Sequence, residues 1–277
     1  MFDLEKFAET SERVTWEDLD FDAFDSHPLD AETLRVLRYM CDVEYHTTCY
    51  LRDLLVTRSH RQEDARGFMT TWNREEFWHG EALSAVLKQH GIIVDYDELK
   101  ARRMKLGWQD ALSTLKQSAG SNLVGDDFIA VHMTWGAANE LSAVAAYRRL
   151  AEMMSHPALS PLLQRIAQQE TRHVAFYTTQ ARAALERSES APKLTRLLMS
   201  KAWRPVGSGI MDDDEVRYVM TYLFTGQKEA LDKLDQSVAR MPGLEGLTIF
   251  NTAFEKMGIV VDAEAVQTVR AVAPAAG

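Results

Sequence analysis

Two short stretches, Glu75-Glu76-Phe77-Trp78-His79-Gly80 and Gln169-Glu170-Thr171-Arg172-His173, share one pattern: a glutamate followed three residues later by a histidine. Residues three apart on a helix share a face, so each stretch can aim a carboxylate and an imidazole at the same point. A further glutamate precedes each pair, Glu44 before the first and Glu140 before the second, at a distance suited to one helix, a turn and half the next. The order Glu44, Glu76, His79, Glu140, Glu170, His173 is the ligand order of a carboxylate-bridged di-iron site inside a four-helix bundle. Hard anionic oxygens can bridge two cations, and one imidazole per metal fixes its position without adding charge. Four carboxylates match two ferrous ions, and the same donors accept a manganese-iron pair.

The surrounding periodicity supports four long helices. From about 31 to 57 an inward stripe reads Leu37, Met40, Cys41, Glu44, Thr48, Leu51 and Leu55, with Asp30 as the N-cap. From about 62 to 90 the stripe is Phe68, Met69, Trp72, Glu76, His79, Leu83 and Leu87, ending at Gly91. A third helix, about 126 to 154, carries Met133, Gly136, Ala137, Glu140, Ala143, Val144 and Tyr147 inward. A fourth, beginning near Pro157 and running to about 187, carries Leu163, Ile166, Glu170, His173 and Tyr177. An unpaired carboxylate on such apolar faces is costly, which favours a metal as its partner. Gly136 in mid-helix costs about 1 kcal/mol relative to alanine and marks either close helix packing or space kept open beside the metals. Tyr147, Tyr177 and His132 read as core residues on apolar stripes.

Composition sets the remaining bounds. With 277 residues, 46% of them hydrophobic, the chain can bury one large core as a single domain, 1 to 277, with its core at about 31 to 187 and a helical extension from about 190 to 277. No apolar run approaches membrane-spanning length and the N-terminal residues Met1 to Lys6 are charged, which predicts a cytoplasmic protein with no membrane span. The net charge of -10 argues against nucleic acid as a ligand. One basic run, Lys100-Ala-Arg-Arg-Met-Lys105 with Trp108 after it, is a candidate docking patch for an acidic protein. The only cysteines, Cys41 and Cys49, both fall in a predicted helix, so the chain has no four-cysteine iron site and takes electrons from a partner.

Residues 1 to 29 read as an irregular acidic lead-in. Beyond 187, a break at Ser188-Glu-Ser-Ala-Pro192 and a turn at Pro205-Val-Gly-Ser-Gly209 flank a short basic helix holding Lys201 and Arg204. Asp212-Asp-Asp-Glu215 then opens further helix through about 258. These helices are expected to pack on the bundle, covering one mouth of the site or forming a dimer surface. The chain contains no phosphate-cradling glycine loop and no Gly-x-Ser-x-Gly elbow.

The two Glu-x-x-His stretches resemble the Glu-Glu-x-x-His-Gly and Asp-Glu-x-Arg-His motifs of the soluble acyl-carrier-protein desaturases, within the ferritin-like di-iron superfamily. Trp16-Glu-Asp-Leu-Asp20-Phe21 is loosely similar to the tryptophan segment before that family's first core helix. The resemblance covers roughly residues 14 to 187. It implies an all-α ferritin-like four-helix bundle with additional helices, and two irons held by Glu44, Glu76, His79, Glu140, Glu170 and His173, with Glu76 and Glu170 bridging. It also implies oxygen-dependent desaturation or hydroxylation of an acyl chain tethered to acyl carrier protein, a ferredoxin-type electron donor and a homodimer. Two positions depart from the family. Gln169 stands where an aspartate usually supports the opposite histidine, with Glu75 the matching support for His173, and Ala143 replaces a threonine facing the oxygen pocket. Two alternatives stay open: a ferritin-like oxygenase acting on a small free acid, amine or amino acid, and a metal-storage or non-catalytic metal-binding protein.

Overall fold

A computed structural model of the protein describes residues 2–95, 98 and 118–262. Two short helices come first, α1 (Leu4–Glu9) and α2 (Ala23–Ser26). Four long ones follow: α3 (Ala31–Leu55), α4 (Glu63–Gln89), α5 (Asp127–Met154) and α6 (Leu159–Leu185). Four shorter helices complete the described chain: α7 (Ser190–Ala202), α8 (Asp213–Phe224), α9 (Lys228–Ala239) and α10 (Ile249–Lys256). The protein is an all-α four-helix bundle with additional helices, and among the described residues there is no strand and no helix long and apolar enough to cross a membrane. The α3–α4 and α5–α6 hairpins make the most extensive contacts, and α4 against α6 joins them into the bundle.

Local chemistry explains where the long helices begin and end. The Asp30 carboxylate accepts a hydrogen bond from the Thr33 amide at 2.7 Å, satisfying a donor that has no partner within α3. The chain leaves α4 through Gly91 at φ +74°, a conformation glycine adopts without a Cβ penalty. The start of α6 is capped by a residue that sequence patterning does not single out. His156 Nδ1 accepts from the amides of Ala158 and Leu159, each at 3.1 Å, while its Nε2 lies 3.0 Å from the His27 carbonyl. That second bond takes the ring proton, leaving Nδ1 free to accept.

Several expectations need correction. The lead-in is not wholly irregular, because α1 and α2 form in it and bury Phe7 and Phe24. Phe7 lies 5.3 Å from Phe68 and 6.2 Å from the His173 ring, so α1 covers the fourth core helix where a metal-ligand candidate sits. The far end of the α3 stripe is rotated by one residue: Thr48 and Leu55 are exposed, whereas Thr47, Tyr50 and Leu54 face the interior cavity. A 3.6-residue period permits either of two neighbouring positions at each turn, and packing chooses. Pro192 lies inside the first turn of α7 rather than in a break, as its missing N–H allows, and Arg204 falls beyond that helix. Residues 118–124 of the expected connecting segment are helical, and the basic run Lys100 to Lys105 with Trp108 lies outside the described residues. Of the additional helices, α7 packs on α5 and α6, α8 on α3 and α5, and α9 on α5 and α10.

Candidate metal centre

Each core helix delivers its candidate ligands to one buried point. Glu44 comes from α3, Glu76 and His79 from α4, Glu140 from α5, and Glu170 and His173 from α6, and all six are at most 6% exposed. They form two groups of four. Glu44, Glu76, His79 and Glu170 can each place one donor atom within 4.8 Å of the others, and so can Glu76, Glu140, Glu170 and His173. Glu76 and Glu170 belong to both groups, which is the arrangement two bridging carboxylates require. The geometry thus brings together every residue that the spacing selected.

The imidazoles are oriented for metal binding. His79 directs Nδ1 inward, 3.1 Å from Glu170 and 3.8 Å from Glu44, and its Nε2 lies 2.8 Å from the Gln169 amide oxygen. The Gln169 amide nitrogen donates to the Glu12 carbonyl at 3.0 Å, which turns the oxygen toward His79. His79 therefore donates from Nε2 and keeps the Nδ1 lone pair free for a cation. His173 repeats the design. Its Nδ1 lies 3.0 Å from Glu170, 3.1 Å from Glu76 and 3.7 Å from Glu140, and its Nε2 is 2.7 Å from the Glu75 carboxylate. Burial raises the Glu75 pKa, but the His173 hydrogen bond and charge together with Arg172, 3.7 Å away, outweigh it and hold the carboxyl below its ordinary range.

Two further groups fix the outer carboxylates. The Trp72 indole N–H donates to Glu140 at 3.1 Å, and the buried Tyr147 hydroxyl donates to Glu44. Neither contact was visible in the sequence, where both residues read as core. Their burial and spacing carry no mark of the hydrogen bond; only a polar atom on an otherwise apolar stripe hints at it.

Charge balance and satisfaction of polar atoms are both compatible with cations here. Glu44 Oε2, Glu76 Oε1 and His79 Nδ1 are buried without a hydrogen-bond partner, and native interiors leave few such atoms unsatisfied. Burial and the neighbouring carboxylate Glu170 push Glu140 up to about 8, and burial with Glu170, Glu44 and Glu140 raises Glu76 well above its ordinary value. Burial disfavours charge on both histidines, but the neighbouring carboxylates, Glu170 and Glu44 at His79 and Glu140 and Glu170 at His173, outweigh it and raise them. Without metal, protons hold this cluster of like charges together. The buried Glu and His groups are suited to hold metal, and their hard, anionic oxygen donors fit a divalent pair such as iron.

A cavity of about 590 Å³ adjoins the cluster and is lined by Glu44, Glu76, Glu140 and Glu170 together with apolar residues of α3 and α5. Its wall includes Gly136 and Ala143, and it reaches the surface beside Arg204, Gly209 and Ile210, which are exposed. Gly136 serves both roles inferred from its sequence: a Cβ there would overlap the Tyr177 ring, and the residue lines the cavity. Trp16 packs against Trp78 at 6.3 Å. No family model and no curated protein matches the chain.

Proposed function

We propose that the protein is a di-iron oxidoreductase that uses oxygen to desaturate or hydroxylate an acyl chain, presented on a carrier protein. The carrying observation is the pair of four-ligand groups that share Glu76 and Glu170 and open on a mostly apolar cavity. From Glu44 to Leu54 the α3 wall of that cavity spans ten residues, or about 15 Å at 1.5 Å per residue. A chain threaded from the surface would therefore pass the ligands while still surrounded by side chains. Two ferrous ions at the centre would supply reductive activation of oxygen and hydrogen abstraction from an unactivated methylene.

The chain's own residues perform the remaining tasks. Glu76 and Glu170 would bridge the metals, Glu44 with His79 would hold one and Glu140 with His173 the other. Gln169 and Glu75 set the ring tautomers. Trp72 and Tyr147 fix the outer carboxylates so that ligand geometry survives a change of metal charge. Val43, Val131 and Trp135 would exclude water from the path of the chain. Cys41 and Cys49 are buried free thiols, and electrons would come from an external donor, which the resemblance makes one of ferredoxin type. A homodimer is the assembly expected of this reading.

The test is an anaerobic ferrous titration of the metal-free protein followed by oxygen uptake with carrier-bound and free acyl chains. Two irons per chain and uptake stimulated by the carrier-bound chain are expected. One iron or none overturns the di-iron reading, and stimulation only by free chains overturns the carrier.

A further inference from the structure

Deep in the same cavity stand two polar atoms that the metal centre does not use. His132 and Tyr177 both line it and are 3% and 1% exposed, and neither His132 Nε2 nor the Tyr177 hydroxyl has a hydrogen-bond partner among the described residues. Their rings lie 6.1 Å apart at 64°. His132 occupies the α5 face one turn before Gly136 and two turns before Glu140, so the pair sits beside the metal ligands on the interior side of the cavity. A buried polar atom without a partner is costly, and two around one space call for a shared partner in that space.

The chemistry of that partner follows from the proton inventory. His132 Nδ1 lies 2.6 Å from Ser59 Oγ, and this is the sole hydrogen bond of that fully buried hydroxyl among the described residues. If His132 kept its proton on Nδ1, the Ser59 O–H would have no acceptor. Satisfying both makes Ser59 the donor to Nδ1, which leaves Nε2–H as a donor toward the cavity. Burial holds the imidazole neutral, its pKa pushed down to about 4. The Tyr177 O–H is a second neutral donor, its pKa raised first by burial and then by Glu140. Two neutral donors in a space walled by carboxylates suit a neutral acceptor and disfavour both another anion and a cation that needs acceptors.

We infer that His132 Nε2 and the Tyr177 hydroxyl form a carbonyl-binding subsite, and that the chain oxidised here carries a neutral oxo, ester or amide group part-way along its length. This deepens the proposed function and rests on it for the oxidation step. A plain hydrocarbon segment would leave both donors unmet. A carbonyl seated on them would fix which carbon faces the metals, because the distance from carbonyl to reacting carbon is set by covalent geometry.

The test uses 2-nonanone as probe with metal-free protein, followed by tryptophan fluorescence and by the isotope-edited infrared band of the carbonyl against its ¹³C form. Wild-type protein is expected to bind the ketone with the carbonyl stretch displaced to lower frequency. Tyr177→Phe, which removes only the hydroxyl, and His132→Leu should each weaken binding roughly fivefold and move the band back. His132→Gln, which keeps a donor, should restore most of the displacement. An undisplaced band with unchanged affinity in Tyr177→Phe and His132→Leu would mean that the two atoms hold water only, and failure to bind at millimolar ketone would also overturn the subsite. Either result leaves a two-iron titration intact, whereas a displaced band in a protein that takes up no iron would overturn the metal reading and leave the subsite standing.

Discussion

His79 and His173 enter the centre from opposite hairpins in the same orientation, yet they are backed by different chemistry. Behind His79 is the neutral amide of Gln169, fixed by the Glu12 carbonyl; behind His173 is the Glu75 carboxylate, near Arg172. An anion behind an imidazole makes it the more basic ligand, whereas an amide fixes its tautomer without adding charge. The outer carboxylates differ too, Glu44 receiving a phenol O–H and Glu140 an indole N–H. The lesson is that a pseudo-symmetric ligand set can hold two inequivalent metal positions, with the inequality placed in residues that touch ligands rather than metal.

The most severe way to break this comparison is to remove what the two halves share. Glu170→Ala deletes a member of both groups and should abolish binding of both irons, while Glu140→Ala should lose one and keep the other. Iron per chain, with far-ultraviolet circular dichroism to show that the helices remain, checks both. Two irons retained in either variant would make the ligand assignment wrong.

Changing the supports sharpens the comparison. Glu75→Gln should weaken metal binding at the His173 position by roughly ten- to a hundredfold, and Gln169→Glu should strengthen the His79 position by a smaller factor. A stepwise cobalt titration measures both, and in the Gln169→Glu protein the two steps should move closer together. If Glu75→Gln leaves both steps in place, the carboxylate behind His173 has no special role.

The pH dependence of the metal-free protein tests the proton inventory. Glu140 has its pKa raised from 4.5 to about 8, so the folded state binds a proton there that the unfolded state releases. Its contribution to stability is fully present below 4.5 and is lost as pH rises through about 8. The two histidines, also raised, act with the same sign. Thermal melting of metal-free protein should therefore fall between pH 6 and pH 9, with a shallower fall in Glu140→Gln. Ferrous affinity should rise over the same range, because metal and protons compete for these atoms.

The smallest effect is expected away from the histidines. Gly136→Ala improves helix propensity by about 1 kcal/mol but places a Cβ into the Tyr177 ring, at a cost of about 1 to 3 kcal/mol. Urea denaturation should show a modest net loss of stability with both metal-binding steps preserved. A stabilised variant would show that the Tyr177 ring yields easily.

How much was legible in advance varies with the kind of contact. The six candidate ligands were readable because a carboxylate on an apolar stripe is rare and a three-residue interval on a helix has one geometric meaning. Glu75 and Gln169 were readable only through the resemblance, because they occupy the motif positions that support the opposite histidines. Tyr147, Trp72 and His132 were not, since aromatic residues on apolar stripes usually fill cores and their polar atoms gain partners only through helix rotation. The lower half of α3 shows the limit: Thr48 and Leu55 fit the stripe as well as Thr47 and Leu54 do, and only the packed partner separates them.

Sequence by itself determined the helical class, the residue types of the centre and the pairing of each histidine with the glutamate three residues before it, because these depend on local periodicity and on ligand chemistry. Tertiary structure alone decided that Glu76 and Glu170 are common to both groups, that each imidazole turns Nδ1 inward, and that His132 and Tyr177 face a cavity ending beside Arg204. Those relations join residues far apart in the chain, and their distances are set by how the helices rotate and pack against one another rather than by any spacing along the backbone.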